Sequence, residues 1–305
     1  VYWAIQTLRQ LKNGNGEKAY FEGCLITDWP SFRIRGFLQD VGRSYISLPE
    51  LKKEIAILSR YKINVFHWHL TENQVCRLES KIYPALNDSV NVTRMPGKYY
   101  TLNEAKELVS FCKQHNVMLI PEIDMPGHSA AFVRTFKCDM QSPEGMVILK
   151  RLVDEVCETF DVPWLHIGTD EVQFTNKTFA PEMVAYVRSK GKKVISWNPG
   201  WQYKPGEIDM IQMWSYRGKA QKGIPAIDSK FHYLNHFDAF GDIVALYNSR
   251  IYNQSQGSDD IAGGIMGIWH DRLVVPEQNM ILENNFYPNV LAFAERSWLG
   301  DGSGY

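Results

Sequence analysis

Eight apolar, strand-like runs separated by amphipathic helical stretches constrain this chain more than any other feature. The runs fall at residues 34–40, 64–70, 117–124, 164–171, 193–198, 209–214, 231–235 and 263–270. Helical periodicity is clearest over 48–61, 102–115, 145–160 and 181–190, and a final helical pattern covers 284–298. In the first of these, Leu51, Ile55 and Leu58 recur at i, i+4 and i+7, an apolar face that packs on a sheet. Pro49 sits in that helix's first turn, where a missing N–H costs little. Alternation on this scale predicts a closed (β/α)8 TIM barrel rather than an open, doubly wound sheet. No Gly-x-Gly-x-x-Gly follows the first strand and no Gly-Lys-Ser/Thr loop occurs, so nucleotide-binding variants of the α/β class lose ground. The crossover between the sixth and seventh strands is short and weakly helical. Ahead of the barrel, 4–11 read as a short helix and 20–26 as a hairpin-like segment. The expected division is therefore 1–30 as the end of an upstream domain or linker and 31–305 as the barrel. The start at Val1-Tyr2-Trp3, without Met, reads as a fragment of something longer.

Charge and composition narrow the partners. With 33 basic against 34 acidic residues and no basic stripe or acidic tail, nucleic acid and anionic membrane surfaces are poor partners. No apolar run approaches the roughly 20 residues that a membrane helix needs. The five cysteines, Cys24, Cys76, Cys112, Cys138 and Cys157, lack CxxC spacing, which argues against a zinc ribbon or redox motif. Cys112 and Cys157 fall within helical patterns and are expected to be core thiols. Sequons begin at Asn87, Asn91, Asn176 and Asn253 and point weakly to secretion. The expected compartment is secreted, periplasmic or lysosomal-type, with no cofactor and an open oligomeric state.

What collects at the strand ends carries the chemistry. In a parallel barrel, the C-terminal edge is where active sites are built. The expected strand ends carry Arg35 with Asp40, His67 with His69, Glu122 with Asp124, Asp170 with Glu171, Trp197, Trp214, Tyr233 with Asn235, and Trp269 with Asp271. Nine Trp and fifteen Tyr supply flat apolar faces with polar handles. Carboxylates and aromatic rings at one mouth suit a sugar, whose C–H faces stack on Trp while its hydroxyls take fixed polar partners. The run 164–171 ends in adjacent carboxylates, Asp170 and Glu171. Side chains alternate along a strand, so these two cooperate only if the strand end twists. A lone Asp-Glu pair is otherwise a solvated turn. His67-Trp68-His69 could bind metal, but a metal-dependent hydrolase on this fold needs further ligands at later strand ends. His166 lies mid-strand and is expected to face away from the mouth, so no metal site is assigned.

Several segments then resemble the β-N-acetylhexosaminidases of glycoside hydrolase family 20. They are Arg35-Gly36-Phe37-Leu38-Gln39-Asp40, His67-Trp68-His69-Leu70-Thr71-Glu72-Asn73-Gln74, Pro121-Glu122-Ile123-Asp124-Met125-Pro126-Gly127-His128 and His166-Ile167-Gly168-Thr169-Asp170-Glu171. Gly263-Gly264 through Trp269 and Ala292-Phe293-Ala294-Glu295-Arg296-Ser297-Trp298 complete the set, in family order across nearly the whole chain. The resemblance makes residues 1–30 the tail of the small α/β domain that commonly precedes this barrel. It implies an exo-acting retaining enzyme that removes terminal β-linked N-acetylglucosamine or N-acetylgalactosamine. The substrate's own 2-acetamido oxygen is the nucleophile, through an oxazolinium-like intermediate. Glu171 is then the general acid and later the base, and Asp170 orients the acetamido N–H. The adjacent charges are expected to keep one proton on Glu171. Tyr233 donates to the acetamido oxygen, His128 supports the acid, Arg35 holds ring hydroxyls, and Trp197, Trp214 and Trp269 wall the sugar.

Departures from the family pattern concern specificity. Tyr233-Leu234-Asn235 stands where many members carry Tyr-x-Asp, and Trp269-His270-Asp271 where they carry Trp-x-Glu. Asn235 and Asp271 are the expected contacts to the C4 and C6 hydroxyls. Their changes predict altered tolerance near C6, with 6-sulfo-N-acetylglucosamine as a candidate. Gln74-Val75-Cys76 replaces the usual Gln-Gly-Trp. The alternatives are a disaccharide-releasing relative of the lacto-N-biosidase kind, a carbohydrate-binding barrel without catalysis, and a metal-dependent hydrolase.

Overall fold

Buried on both faces, parallel strands read as continuous apolar runs, and this chain's runs close on themselves. The computed structural model describes residues 1–230, 232–234, 239–271, 275–279, 281 and 286–301. Eight strands form a closed barrel: β1 (Ile34–Asp40), β2 (Val65–His69), β3 (Met118–Glu122), β4 (Trp164–His166), β5 (Lys193–Asn198), β6 (Met210–Met213), β7 (Ala226–Asp228) and β8 (Ile261–Ile268). Each pairs in parallel with its sequence neighbour, and β8 closes on β1 through Ile34↔Gly263 to Gln39↔Ile268. This is the (β/α)8 barrel that the alternation predicts.

The helices are α1 (Tyr2–Leu11), α2 (Leu48–Arg60), α3 (Leu102–Gln114), α4 (Ala130–Phe136), α5 (Pro143–Thr159), α6 (Phe179–Ser189), α7 (Ala239–Asn248) and α8 (Asn289–Leu299). Helix α2 buries Leu51, Ile55 and Leu58 with Pro49 in its first turn, as its periodicity requires. Helix α3 starts at a capping box in which Thr101 accepts from the Glu104 N–H and Glu104 reaches back to the Thr101 N–H.

Strand parity sorts the core into two layers. Val65, Ile120, Ile195, Ile227, Ile34 and Leu38 fill the barrel interior. Phe66, Trp68, Leu119 and Phe37 face the helices. The same parity sends His67 and His69 inward with Val65.

Three sequence expectations shift. The fourth strand ends at His166, not at 171, because the chain leaves extended geometry at Gly168 (φ +68°) and Thr169 (φ +89°). The seventh strand is Ala226–Asp228 rather than 231–235. The aromatic stretch that imitated a strand contributes only an isolated bridge, Tyr233↔Gly267, and Phe231 and Asn235 lie outside the described residues. Residues 20–26 form no hairpin. Tyr20 bridges Asn13, and Tyr20, Phe21, Leu25 and Trp29 are exposed. Of the two cysteines expected in the core, Cys112 is buried and Cys157 is half-buried on α5. Among the described residues, no helix is long and apolar enough to cross a membrane.

Candidate active site

The C-terminal ends of the strands converge on a cavity of about 230 Å3. Its walls come from Arg43 after β1, His69 at the end of β2, and Glu72 in the short hairpin that follows. Asp124 and His128 follow β3, and Asp170 and Glu171 follow β4. Trp214 comes after β6, Tyr233 after β7, and Trp269 with Asp271 after β8. A cavity this small has the scale of one monosaccharide.

Backbone strain solves the problem of the adjacent carboxylates. Gly168, Thr169 and Glu171 (φ +46°) all take positive φ, and His128 opposite them does too (φ +44°). Such conformations in non-glycine residues cost energy and cluster where function over-determines them. Here they turn Asp170 and Glu171 into the same cavity. Gly168 is required twice over, because a Cβ there would lie 1.7 Å from Asp124 Oδ1. Asp124 holds the turn from below by accepting the Thr169 N–H at 3.2 Å. Burial, then the neighbouring Asp170 charge, pushes the Asp124 carboxyl well above the usual carboxylate range. Asp170 Oδ1 is buried with no protein partner among the described residues. Glu171, by contrast, is 57% exposed at the rim.

His128 ties these carboxylates to the wall. Its Nδ1 lies 2.8 Å from Glu72 Oε1, and its Nε2 lies 3.6 Å from Asp170 Oδ2 and 3.4 Å from Glu171 Oε2. Burial alone would lower the imidazole's pKa, but the facing carboxylates of Asp170 and Glu72 reverse this and carry it to about 11. His128 is therefore an imidazolium among three carboxylates. Burial opposes the Glu72 charge, yet His128, His69 and Arg43 together hold that carboxyl well below its usual range. Arg43 reaches Asp40 (2.9 Å), Glu72 (2.8 Å) and Asp271 (3.3 Å) and lies over the Trp269 ring at 5.2 Å.

Across the cavity, Tyr233 meets Trp269 edge-on at 5.7 Å. Burial, and after it the Asp170 charge, drives the phenol well above its ordinary value, so it stays a proton donor. Trp214 anchors its indole N–H on the Pro199 carbonyl at 2.8 Å, which leaves its ring to the cavity wall.

Beneath the floor lies a buried polar layer. Glu122 Oε2 takes His69 Nδ1 at 2.7 Å and His67 Nε2 at 2.8 Å, while Trp197 donates its indole N–H to Oε1 at 2.7 Å. His166 Nδ1 lies 3.2 Å from Oε1 but accepts the Gly168 N–H. Burial lowers His67 to about 4. For His69 the same burial is outweighed by Glu122, so its pKa rises well above the ordinary value and one buried ion pair supports the floor. His67, Glu122 and His166, and separately Asp124, His128 and Asp170, bring donor atoms close enough to share a cation. In the first group Glu122 is already engaged by His69 and Trp197; in the second Asp124 accepts the Thr169 N–H, and Asp170 Oδ2 lies 3.6 Å from His128 Nε2.

The expected residues divide accordingly. Asp170, Glu171, His128, Tyr233, Trp214, Trp269 and Asp271 meet in one cavity. Asn235 lies outside the described residues. Arg35 does not reach the pocket. It is the second residue of β1, at the barrel's opposite end, and shares outward parity with Phe37. Its guanidinium donates to the carbonyls of Phe32 (2.7 Å) and Lys62 (2.9 Å) and lies over Trp298 at 4.9 Å. Trp197 does not line the cavity either. It is 1% exposed, below the floor, with its ring 6.0 Å from Trp269. His166 points into the barrel interior. Arg43 was missed because it sits three residues past the strand end. The signal was Asp40 itself, a buried carboxylate at the mouth that needs a cation within reach.

Comparison with known proteins bears on the family and the fold. Residues 32–141 match the family model for the glycosyl hydrolase family 20 catalytic domain. The chain is 26% identical over 379 residues to a β-hexosaminidase of Porphyromonas gingivalis, covering 98% of this chain and 48% of that protein. It is 25% identical over 349 residues to β-hexosaminidase 3 of Arabidopsis thaliana, covering 98% of this chain and 64% of that protein. The chain thus spans about half to two thirds of these curated relatives. The crystal structure of a β-N-acetylhexosaminidase from Bacteroides fragilis superimposes with a TM-score of 0.86 at 25% identity, covering all of this chain and 74% of that one.

Proposed function

We propose that this chain, which belongs to glycosyl hydrolase family 20, is the barrel of an exo-acting β-N-acetylhexosaminidase that releases terminal β-linked N-acetylglucosamine or N-acetylgalactosamine. The observation that carries the reading is the placement of Asp170 and Glu171 in one monosaccharide-sized cavity, in different settings, with a protonated Tyr233 across from them.

The mechanism we propose is retaining and substrate-assisted. The unpartnered Asp170 Oδ1 accepts the acetamido N–H of the bound sugar and balances the positive charge that develops as its carbonyl oxygen attacks the anomeric carbon. The Tyr233 phenol donates to that oxygen and holds it on trajectory. Glu171, exposed at the rim, protonates the departing glycosidic oxygen and then deprotonates the water that opens the oxazolinium ion. His128 holds both carboxylates in place as a positioning residue, and Arg43 takes the ring hydroxyls. Trp214 and Trp269 pack against the sugar faces. A cavity for one ring favours monosaccharide over disaccharide release.

Tolerance of a 6-substituted sugar, 6-sulfo-N-acetylglucosamine among them, has narrower support: Asp271 is exposed at the rim and already paired with Arg43. Residues 1–30 are proposed as the end of a preceding domain, because the large apolar side chains of Tyr20, Phe21, Leu25 and Trp29 are all exposed. A secreted or lysosomal-type compartment is proposed on the sequons, of which Asn253 is exposed.

Hydrolysis of an aryl β-N-acetylglucosaminide tests the reading. Asp170→Asn is expected to lower kcat roughly 100- to 1,000-fold even on good leaving groups, in line with loss of one preorganised transition-state contact. Glu171→Gln is expected to hurt poor leaving groups most, and a thiazoline analogue to inhibit strongly. Near-full activity of Asp170→Asn would refute the assigned role.

A further inference from the structure

A second, wider cavity of about 720 Å3 opens on the far side of Glu171 and Trp214. These two residues line both cavities and are the wall between them. On the reading above, the scissile oxygen must sit within reach of Glu171, with the N-acetylhexosamine on one side. Whatever leaves with that oxygen occupies the other side.

The chemistry of that other side differs from the sugar pocket. The inner pocket is rich in carboxylates: Glu72, Asp124, Asp170, Glu171 and Asp271. In the outer cavity, Glu171 is the one carboxylate among the described lining residues, and Arg217 the one cation. Arg217 is exposed and pairs with no carboxylate among the described residues, whereas Arg43, Arg188 and Arg250 each do. Its guanidinium lies 5.7 Å from the Tyr216 ring centroid and contacts the Tyr216 hydroxyl at 3.4 Å. Tyr216 is 72% exposed, a large aromatic face held at the cavity edge with no core to fill. The loop over 215–223 adds Lys219 and Lys222, both exposed, and contains no Asp or Glu. Of the three cations on this loop, Arg217 is the one placed in the cavity lining, on the leaving-group side of the proposed acid.

We propose that this cavity seats the aglycone and that the 215–223 loop selects an aglycone sugar bearing an oxyanion, a uronate or a sulfate ester. Tyr216 stacks on the sugar's C–H face, and Arg217 pairs with the oxyanion (Arg pairs well with both carboxylate and sulfate). The bond broken and the groups that break it are those of the reading on which this inference rests. The loop alters only which leaving group is favoured.

The test compares kcat/KM on disaccharides with the same β-N-acetylglucosaminyl unit on a uronic acid, on the methyl ester of that uronic acid, on a sulfated hexose and on the unsulfated hexose. The expected preference for each anionic member is about five-fold, the scale of one exposed ion pair. It should collapse in 1 M salt, where the Debye length is about 3 Å. Arg217→Ala is expected to bring the anionic-to-neutral ratio near unity, and Arg217→Lys to retain much of it. Preference for the uronate alone, or the sulfate alone, identifies which oxyanion is read. Equal kcat/KM within both pairs, or a ratio unmoved by Arg217→Ala, overturns the proposal. Failure to hydrolyse an aryl β-N-acetylglucosaminide would instead overturn the hydrolase reading itself.

Discussion

Replacing His128 by Ala separates positioning from binding in this site. The substitution removes a 2.8 Å contact to Glu72 and the longer contacts, 3.6 and 3.4 Å, to Asp170 and Glu171. Two unit charges about 3.5 Å apart attract by roughly 5 kcal/mol at an effective dielectric of 20. Glu171 is more than half exposed, so solvent screens its share, and the Nε2 distances exceed hydrogen-bond length. What remains is about one charge-assisted bond, roughly 1.5–3 kcal/mol. Because the imidazolium fixes the carboxylates rather than the sugar, the loss is expected in kcat, about 10- to 150-fold, with KM within about three-fold. The pH dependence follows from the raised pKa. The folded-state value of about 11 lies above the unfolded value near 6.5, so the stabilisation is complete below about 6.5 and is lost as pH rises through about 11. Denaturant midpoints from pH 6 to 11 should therefore fall on the alkaline side in the parent, and less so in His128→Ala. Steady-state kinetics on an aryl glycoside with the two stability profiles measure both effects. A kcat within two-fold of the parent, or superimposable pH profiles, would refute the role of His128 as a charged brace.

Other substitutions probe the turn and the corrected arginine. Gly168→Ala places a Cβ at φ +68° and 1.7 Å from Asp124 Oδ1. Left-handed strain alone costs roughly 1–2 kcal/mol, and a shift of about 1 Å in Asp170 should lower kcat about 100-fold. Wild-type kcat in a folded Gly168→Ala protein would contradict the account of the strained turn. Arg35→Ala removes two charge-assisted bonds and the packing on Trp298, and is expected to lower stability by roughly 2–3 kcal/mol while KM stays within two-fold. A large KM change with unchanged stability would return Arg35 to the substrate.

Much of the architecture was legible before folding. Apolar runs and 3.6-residue periodicities sufficed for the barrel because parallel strands buried on both faces and helices buried on one leave different periods in the sequence. The seventh strand was misplaced because Phe231-His232-Tyr233-Leu234 carries more strand-like character than the short Ala226–Asp228 that occupies the position. Strand-end reasoning gathered Asp170, Glu171, Trp214, Tyr233, Trp269 and Asp271, since closure brings all C-terminal edges to one face.

Direction and parity decided the rest. Arg35 lies at the wrong end of β1 and on its outward-facing set, which a motif match does not register. Trp197 has the right parity but lies one layer too deep, where Glu122 uses its N–H. Arg43 became visible only when the loop after β1 folded back over Asp40, Glu72 and Asp271. The adjacency of Asp170 and Glu171 was fixed by sequence, but their shared direction was not. Extended geometry would have sent them to opposite faces, and only a left-handed turn, made possible by Gly168 and anchored on Asp124 through the Thr169 N–H, aims both into one cavity.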